Sequence, residues 1–384
     1  MNNKKILGIV STPYHLMVLL FIKEHLNEKN GFDRFDVVIT DKTSSLKEVF
    51  ESGRLLSCFD NAFFADSKKI KNPYKGAVLQ LYESFIHNPE YDRMFAYTAG
   101  KNTSVPDPKD YTDVFFASPG MPDEVSKEII KAFIRKNRRI RFHRYEDGFA
   151  SYTKAPVSAV TSASGRLLYR LFLGFDIKKA ENRLLMFEPA LAEKNVADTL
   201  STGFKLVKIP KDEKIIRSVT EKICSLLLFE PEKIPAHYLF LGQGTDNVTN
   251  NPKTYSSLIV HIAEKTGFED FCMKPHPRGK FDRFDNRIHL YENSAPFELC
   301  FAGGQMEDKT LISYYSTACV SGKLLFNSKC RIIFTYPLAG DSFNEKCDYE
   351  DYFEKLQKLY DNVYIARTQD ELDALLESAC LQRS

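Results

Sequence analysis

The 384-residue chain has no tryptophan, so any stacking on a base or sugar falls to its 19 tyrosines and 30 phenylalanines. It also lacks a net charge of consequence. Its 53 lysines and arginines stand against 51 acids, leaving +2. That balance excludes the global basic field with which nucleic-acid binders gather phosphate. The eight cysteines form no CxxC pair and sit mostly in apolar runs such as Ile223-Cys224 and Phe271-Cys272. They read as reduced core residues, not as zinc ligands or a disulfide framework. The eight histidines show neither HxxxH nor HExxH spacing, so no metal is expected. A GxGxxG fingerprint, a Walker-type phosphate loop and a GxSxG elbow are all missing, which removes the best-marked dinucleotide, P-loop and serine-hydrolase readings. No apolar run is long enough for a membrane span: the one after Lys4 and Lys5 breaks at Ser11-Thr12-Pro13-Tyr14-His15, and Leu16 to Ile22 is too short. The expectation is a cytoplasmic protein.

What is present is globular, 43% hydrophobic and 27% charged, with length for two domains. Short apolar runs alternate with helical patterns. Strands are predicted at Ile6 to Val10, Phe35 to Thr40, Ala62 to Ala65, Asp113 to Ser118, Ile140 to Tyr145 and Leu184 to Phe187. Helices are predicted at His15 to Leu26, Ser44 to Glu51, Lys75 to Ile86, Pro122 to Arg135, Arg166 to Phe172 and Lys211 to Leu228. The polar, proline-bounded stretch from Phe229 to Pro235 marks a linker. The rhythm then restarts with strands at His237 to Leu241, Phe268 to Met273, Ile288 to Tyr291, Leu311 to Tyr315, Arg331 to Phe334 and Val363 to Ala366, interleaved with helices. This pattern predicts an α/β chain of two doubly wound, Rossmann-like domains, 1–230 and 231–384, facing a central cleft.

Ligands in such sheets bind outside the carboxyl ends of the strands, and the marked residues collect there. Lys274-Pro275-His276-Pro277-Arg278 leaves a strand through two prolines, which hold imidazole, ammonium and guanidinium extended where an anion can meet them. Ser316-Thr317 stands between a strand and a helix; two hydroxyls and free amides suit a phosphate, or make a plain N-cap. Gly242-Gln243-Gly244 permits close backbone approach, as a tight turn or as a nucleotide loop. In Glu146-Asp147-Gly148 neighbouring side chains point opposite ways, so one carboxylate can be structural while Asp147 serves a hydroxyl nucleophile as general base. The basic run Arg135 to Arg144 reads as the solvated tail of a helix and an edge strand; its second reading is attraction to an anionic membrane surface or a lipid-linked acceptor.

In order, Glu146-Asp147-Gly148, His276-Pro277 and Ser316-Thr317 resemble the three short motifs of bacterial sialyltransferases. Together with the opening Thr12-Pro13-Tyr14-His15 and the length, the chain looks most like glycosyltransferase family 52, which includes lipooligosaccharide and capsule sialyltransferases. The resemblance implies a GT-B fold and an inverting, metal-free transfer of sialic acid from CMP-sialic acid to a galactoside, with no cofactor. It implies Asp147 as base, with Asp246 as rival, and His276 on the departing phosphate. Ser316 and Thr317 become phosphate ligands. Gly242, Gln243 and Gly244 lie near the nucleotide in this reading, with Lys274, Pro275, Pro277, Gly148, Thr12, Tyr14 and His15 as further substrate-binding positions. A homodimer, peripheral contact with the inner membrane and no nucleic-acid partner complete the expectation. A family 52 enzyme with a UDP-hexose donor and a non-catalytic nucleotide- or glycan-binding protein are the alternatives.

Overall fold

Runs rich in Val, Ile and Phe, too short for helices and buried on both faces, become parallel strands in both halves of the chain. The computed structural model describes residues 4–69, 91–100, 105–118, 124–153, 183–192, 205–230, 234–243, 252–276, 285–291, 296–302, 304–316, 318–338 and 350–381. The helices expected at 75–86 and 166–172 lie outside the described residues, as do Gly244, Asp246, Pro277 and Thr317. The chain divides into two compact units, Met1–Phe229 and Glu230–Ser384.

The first unit carries an eight-stranded sheet: β1 (Lys5–Val10), β2 (Arg34–Thr40), β3 (Asn61–Ala65), β4 (Phe95–Gly100), β5 (Asp113–Ser118), β6 (Arg141–Glu146), β7 (Arg183–Met186) and β8 (Lys205–Lys208), in the order β4-β3-β2-β1-β5-β6-β7-β8. All neighbours pair in parallel except β4, which runs antiparallel to β3. The longer helices are α1 (Pro13–Glu28), α2 (Ser44–Glu51), α3 (Glu124–Lys136) and α4 (Glu213–Leu227). The second unit carries six parallel strands: β9 (Tyr238–Leu241), β10 (Phe271–Lys274), β11 (His289–Leu290), β12 (Thr310–Ser313), β13 (Arg331–Phe334) and β14 (Val363–Ile365), in the order β11-β10-β9-β12-β13-β14. Around them are α5 (Pro252–Thr266), α6 (Ala318–Phe326), α7 (Glu350–Leu359) and α8 (Gln369–Leu381).

Each sheet reverses its strand order once. In the first unit β1 lies between β2 and β5; in the second β9 lies between β10 and β12. Chain crossovers diverge at these points and leave a crevice outside the strands' carboxyl ends. Each unit has its own core: Leu7, Ile9, Val38, Phe116 and Phe133 in the first, Phe240, Met273, Ile312, Ile333 and Leu376 in the second. Helix α1 crosses β1 so closely that a Cβ on Gly8 would stand 2.3 Å from a Leu19 methyl. Gly8→Ala is expected to destabilise the protein by about 1–3 kcal/mol through overpacking, read as a lower urea midpoint.

Four expectations are corrected. Ser11 to His15 is not a free turn before a helix at His15. Helix α1 starts at Pro13, capped by the extended Thr12, whose Oγ1 accepts from the His15 N–H at 3.2 Å. Thr at N-cap followed by Pro at N1 is a helix start. The strand expected from Phe268 begins at Phe271, because Phe268–Asp270 closes a 3-10 turn whose Asp270 carboxylate accepts from the His237 N–H at 2.8 Å. Strand β4 went unread, since its pairing partner β3 lies some thirty residues upstream and no local hairpin announces it. Finally, β6 is an interior strand, not an edge, and its Arg144 is buried, so the basic run is only partly a solvated surface.

Candidate functional site

In the first unit the carboxyl ends of β1 and β6 bring together residues more than 130 positions apart. The Tyr145 hydroxyl donates to the Ile9 carbonyl at 2.6 Å and ties the two strand ends. Beyond them the adjacent carboxylates of Glu146 and Asp147 separate, as alternation along a strand requires.

Glu146 is fully buried. It accepts hydrogen bonds from the Tyr14 hydroxyl (2.5 Å), the Tyr152 hydroxyl (2.5 Å) and the Phe187 N–H (2.7 Å). One carboxylate thus holds the first turn of α1, the short helical turn Ala150–Thr153 and the segment leaving β7. Burial pushes its pKa from 4.5 up to about 7, against the opposing pull of those donors and of Lys211. Burial likewise pushes Lys211 down to about 8.

Asp147 turns the other way, and its side chain is 38% exposed. Its carboxylate oxygen Oδ1 meets Nε2 of His15. The His15 ring is buried, edge-on to Tyr145, and its Nδ1 accepts from the Ser11 N–H at 3.3 Å. That bond leaves the ring proton on Nε2, where it donates to Asp147. The Asp147 N–H donates to Ser151 Oγ at 2.7 Å. Gly148 follows at φ 76°, a left-handed conformation that a side chain would strain, with the Tyr14 ring 3.8 Å from where a Cβ would stand. Asp147 is therefore fixed through its backbone, its carboxylate and the turn behind it, while part of the carboxylate stays open to solvent. A carboxylate held this way can accept a proton from a hydroxyl, with the His15 N–H retaining it in place.

In the second unit the reversal point between β9 and β12 is spanned by a buried polar chain. Gln243 Nε2 donates to Ser313 Oγ at 3.1 Å, Ser313 Oγ donates to the Leu241 carbonyl at 2.9 Å, and the Ser316 N–H donates to Ser313 Oγ at 3.0 Å. The Gln243 N–H donates to the Tyr255 hydroxyl at 3.0 Å, and the Gly242 N–H to the Lys274 carbonyl at 2.9 Å. Gly242, Gln243, Lys274 and Ser316 thus share one sheet edge, with half-buried Pro275 and His276 following β10. The Lys274 ammonium lies 5.3 Å from the Tyr291 ring centre; burial lowers its pKa, which the nearby Cys300 and Glu298 oppose. A cation that has lost part of its water is well matched to an anionic ligand.

Three residues escaped the sequence reading. Ser313 is the node of the second-unit chain, but as the last residue of an apolar strand it carried no motif. Tyr152 and Ser151, which hold Glu146 and Asp147, follow Glu146-Asp147-Gly148 but form no motif of their own. Among the described residues, no group of three or more His, Cys, Asp or Glu is gathered as metal ligands, and no helix is long and apolar enough to cross a membrane.

No family model matches the chain, and no curated protein matches it. Solved structures do. The full chain aligns with 88% of a Listeria monocytogenes protein described as a UDP-N-acetylglucosamine 2-epimerase, at TM-score 0.51 and 10% identity. An α/β-galactoside α-2,3-sialyltransferase of Photobacterium phosphoreum aligns over 95% of this chain and 99% of its own at TM-score 0.48 and 13% identity. Arabidopsis thaliana UGT89C1, solved with UDP-L-rhamnose, aligns over 99% and 90% at TM-score 0.49 and 14% identity. At such identities the likeness is one of fold: two Rossmann-like units in one chain, the GT-B class.

Proposed function

We propose that this chain is a glycosyltransferase, and more narrowly an inverting, metal-independent sialyltransferase. It moves sialic acid from CMP-sialic acid to a terminal galactoside of a bacterial surface glycan, lipooligosaccharide or capsule. The observation that carries the reading is the pair His15–Asp147 at the carboxyl edge of the first sheet: a partly exposed carboxylate oriented by a buried imidazole of fixed tautomer. The residues around Gln243, Lys274 and Ser316 at the reversal point of the second sheet add a setting suited to a nucleotide phosphate.

In this reading Asp147 takes the proton of the acceptor hydroxyl, whose oxygen bonds to the anomeric carbon of sialic acid as the bond to the CMP phosphate breaks. The sugar passes through an oxocarbenium-like state while charge grows on the phosphate. Donors that strengthen with that charge accelerate the step. His276 is assigned to the departing phosphate oxygen, with Ser316 and Thr317 beside it and Gly242 to Gly244 along the nucleotide. Asp246 is the alternative base. The reading further implies no cofactor, a cytoplasmic enzyme in peripheral contact with the inner membrane, and a homodimer.

The direct test incubates the protein with CMP-sialic acid and a panel of galactosides, in EDTA and in magnesium. The expected result is equal transfer in both. In thermal shift, CMP is expected to raise the melting temperature and UDP is not; protection by UDP alone would reassign the donor. His276→Ala is expected to lower kcat on the order of 100-fold, as loss of a donor to the leaving group does elsewhere. Transfer at the parent rate would remove His276 from the chemistry.

A further inference from the structure

We infer that the first unit binds an organic anion with an apolar body, an alkyl phosphate being its simplest form, in a cavity at the amino-terminal side of the sheet. This goes beyond the transferase reading and does not depend on it.

Helix α1 runs antiparallel to the strands it covers, so its last turns overlie the strands' beginnings. There the helix and strands β5 to β8 enclose a cavity of about 290 Å³. That is near the lower end of small-ligand pockets, about 300–1,000 Å³. Its floor follows from register. Phe115 pairs with His143 across β5 and β6, and Leu185 with Val207 across β7 and β8. Strand alternation puts Phe115, His143, Arg183, Leu185 and Val207 on one face, and all five line the cavity. Phe115 and His143 stack at 4.5 Å. Ile22 and Leu26 close it from the helix.

The rim has one sign. Lys4, Lys29 and Arg183 surround the apolar floor together with His25, and no acidic side chain lines the cavity among the described residues. Lys208, one residue on from Val207, projects to the opposite face of the sheet and pairs there with Glu188. His143 is held by Asp113 at 2.6 Å, and Asp113 also takes Arg141 at 2.8 Å. Part of the basic run Arg135 to Arg144 thus ends in this cavity. Leu26, Leu185 and Val207 are only half-buried. A half-open apolar floor inside a ring of cations suits a ligand whose tail covers the floor and whose anionic head meets the ring.

The test is calorimetric titration of the full chain with octyl phosphate, octyl glucoside and inorganic phosphate. Octyl phosphate is expected to bind saturably, one per chain, with the other two at least ten-fold weaker because each supplies only one half of the chemistry. The double substitution Lys29→Glu, Arg183→Glu, at two exposed positions, is expected to weaken octyl phosphate ten-fold or more. Val207→Asp, which puts a carboxylate on the floor, is a second variant should the first fail to fold, and is expected to do the same. Sedimentation with phosphatidylglycerol but not phosphatidylcholine vesicles, lost in the double variant, would make the source a bilayer lipid; octyl phosphate binding without sedimentation would make it a soluble organic phosphate. The inference is overturned if octyl phosphate does not saturate, if inorganic phosphate or octyl glucoside matches it, or if neither variant weakens it.

Discussion

Under the proposed function, Asp147→Asn is expected to lower the rate of sialyl transfer by about 10²–10⁴-fold, the usual contribution of a positioned general base, while leaving the thermal shift expected from CMP unchanged. The substitution keeps shape and contacts. The asparagine carbonyl oxygen can still accept from His15 Nε2, and the backbone N–H can still donate to Ser151 Oγ. What it removes is the ability to take a proton. The loss should fall on kcat, because the interaction matters most as the acceptor oxygen begins to bond. A parent rate in this variant, with Asp246→Asn inactive, would move the base to Asp246. Full activity in both would end the general-base assignment. His15→Ala is a softer version of the experiment: it leaves the carboxylate but removes the donor that orients it, so a smaller fall in kcat is expected.

The fold was legible because most strands are short apolar runs set between helical patterns, and because both halves repeat the alternation. The placement of Glu146, Asp147, Gln243 and Ser316 at the carboxyl edges of the sheets follows from topology alone. Part of Glu146-Asp147-Gly148 was also legible, since adjacent side chains on a strand must diverge. The convergence of Tyr14, Tyr152 and Phe187 on Glu146 is not legible in sequence, because it joins a helix start 132 residues upstream and the segment leaving the neighbouring strand 41 residues downstream. The Thr12-Pro13 pair departs from expectation for a different reason. Proline breaks a helix interior, whereas at N1 its missing N–H costs nothing and its fixed φ favours the helix. Strand β4 and the 3-10 turn before β10 failed on tertiary grounds: one is recruited by a distant edge, the other is held by the Asp270 bond to His237.

Glu146→Ala is expected to be the most destabilising change at the site, and Glu146→Gln to be nearly harmless. Alanine strands two tyrosine hydroxyls and a buried amide. Each abandoned polar group costs about 1–3 kcal/mol, so a loss of several kcal/mol follows. Glutamine can satisfy all three if its carbonyl takes the place of Oε2, accepting from Tyr152 and Phe187, while its amide donates to the Tyr14 hydroxyl. The protonated carboxylic acid makes the same pattern, and pH tells the two side chains apart. Burial raises Glu146 from 4.5 to about 7, so between those values the folded state holds a proton that the unfolded state has released. Stability from this group is therefore greatest below pH 4.5 and falls as pH rises to about 7, by on the order of 3 kcal/mol. Lys211, pushed down to about 8, acts in the opposite sense and only above that pH. The difference between parent and Glu146→Gln cancels most other titrating groups, including Asp113, whose window lies near pH 2 to 4. The two proteins should unfold at similar urea concentrations at pH 5, and the glutamine variant at a higher one at pH 8. Parallel profiles across that range would mean that Glu146 is ionised throughout and that its three donors outweigh its burial.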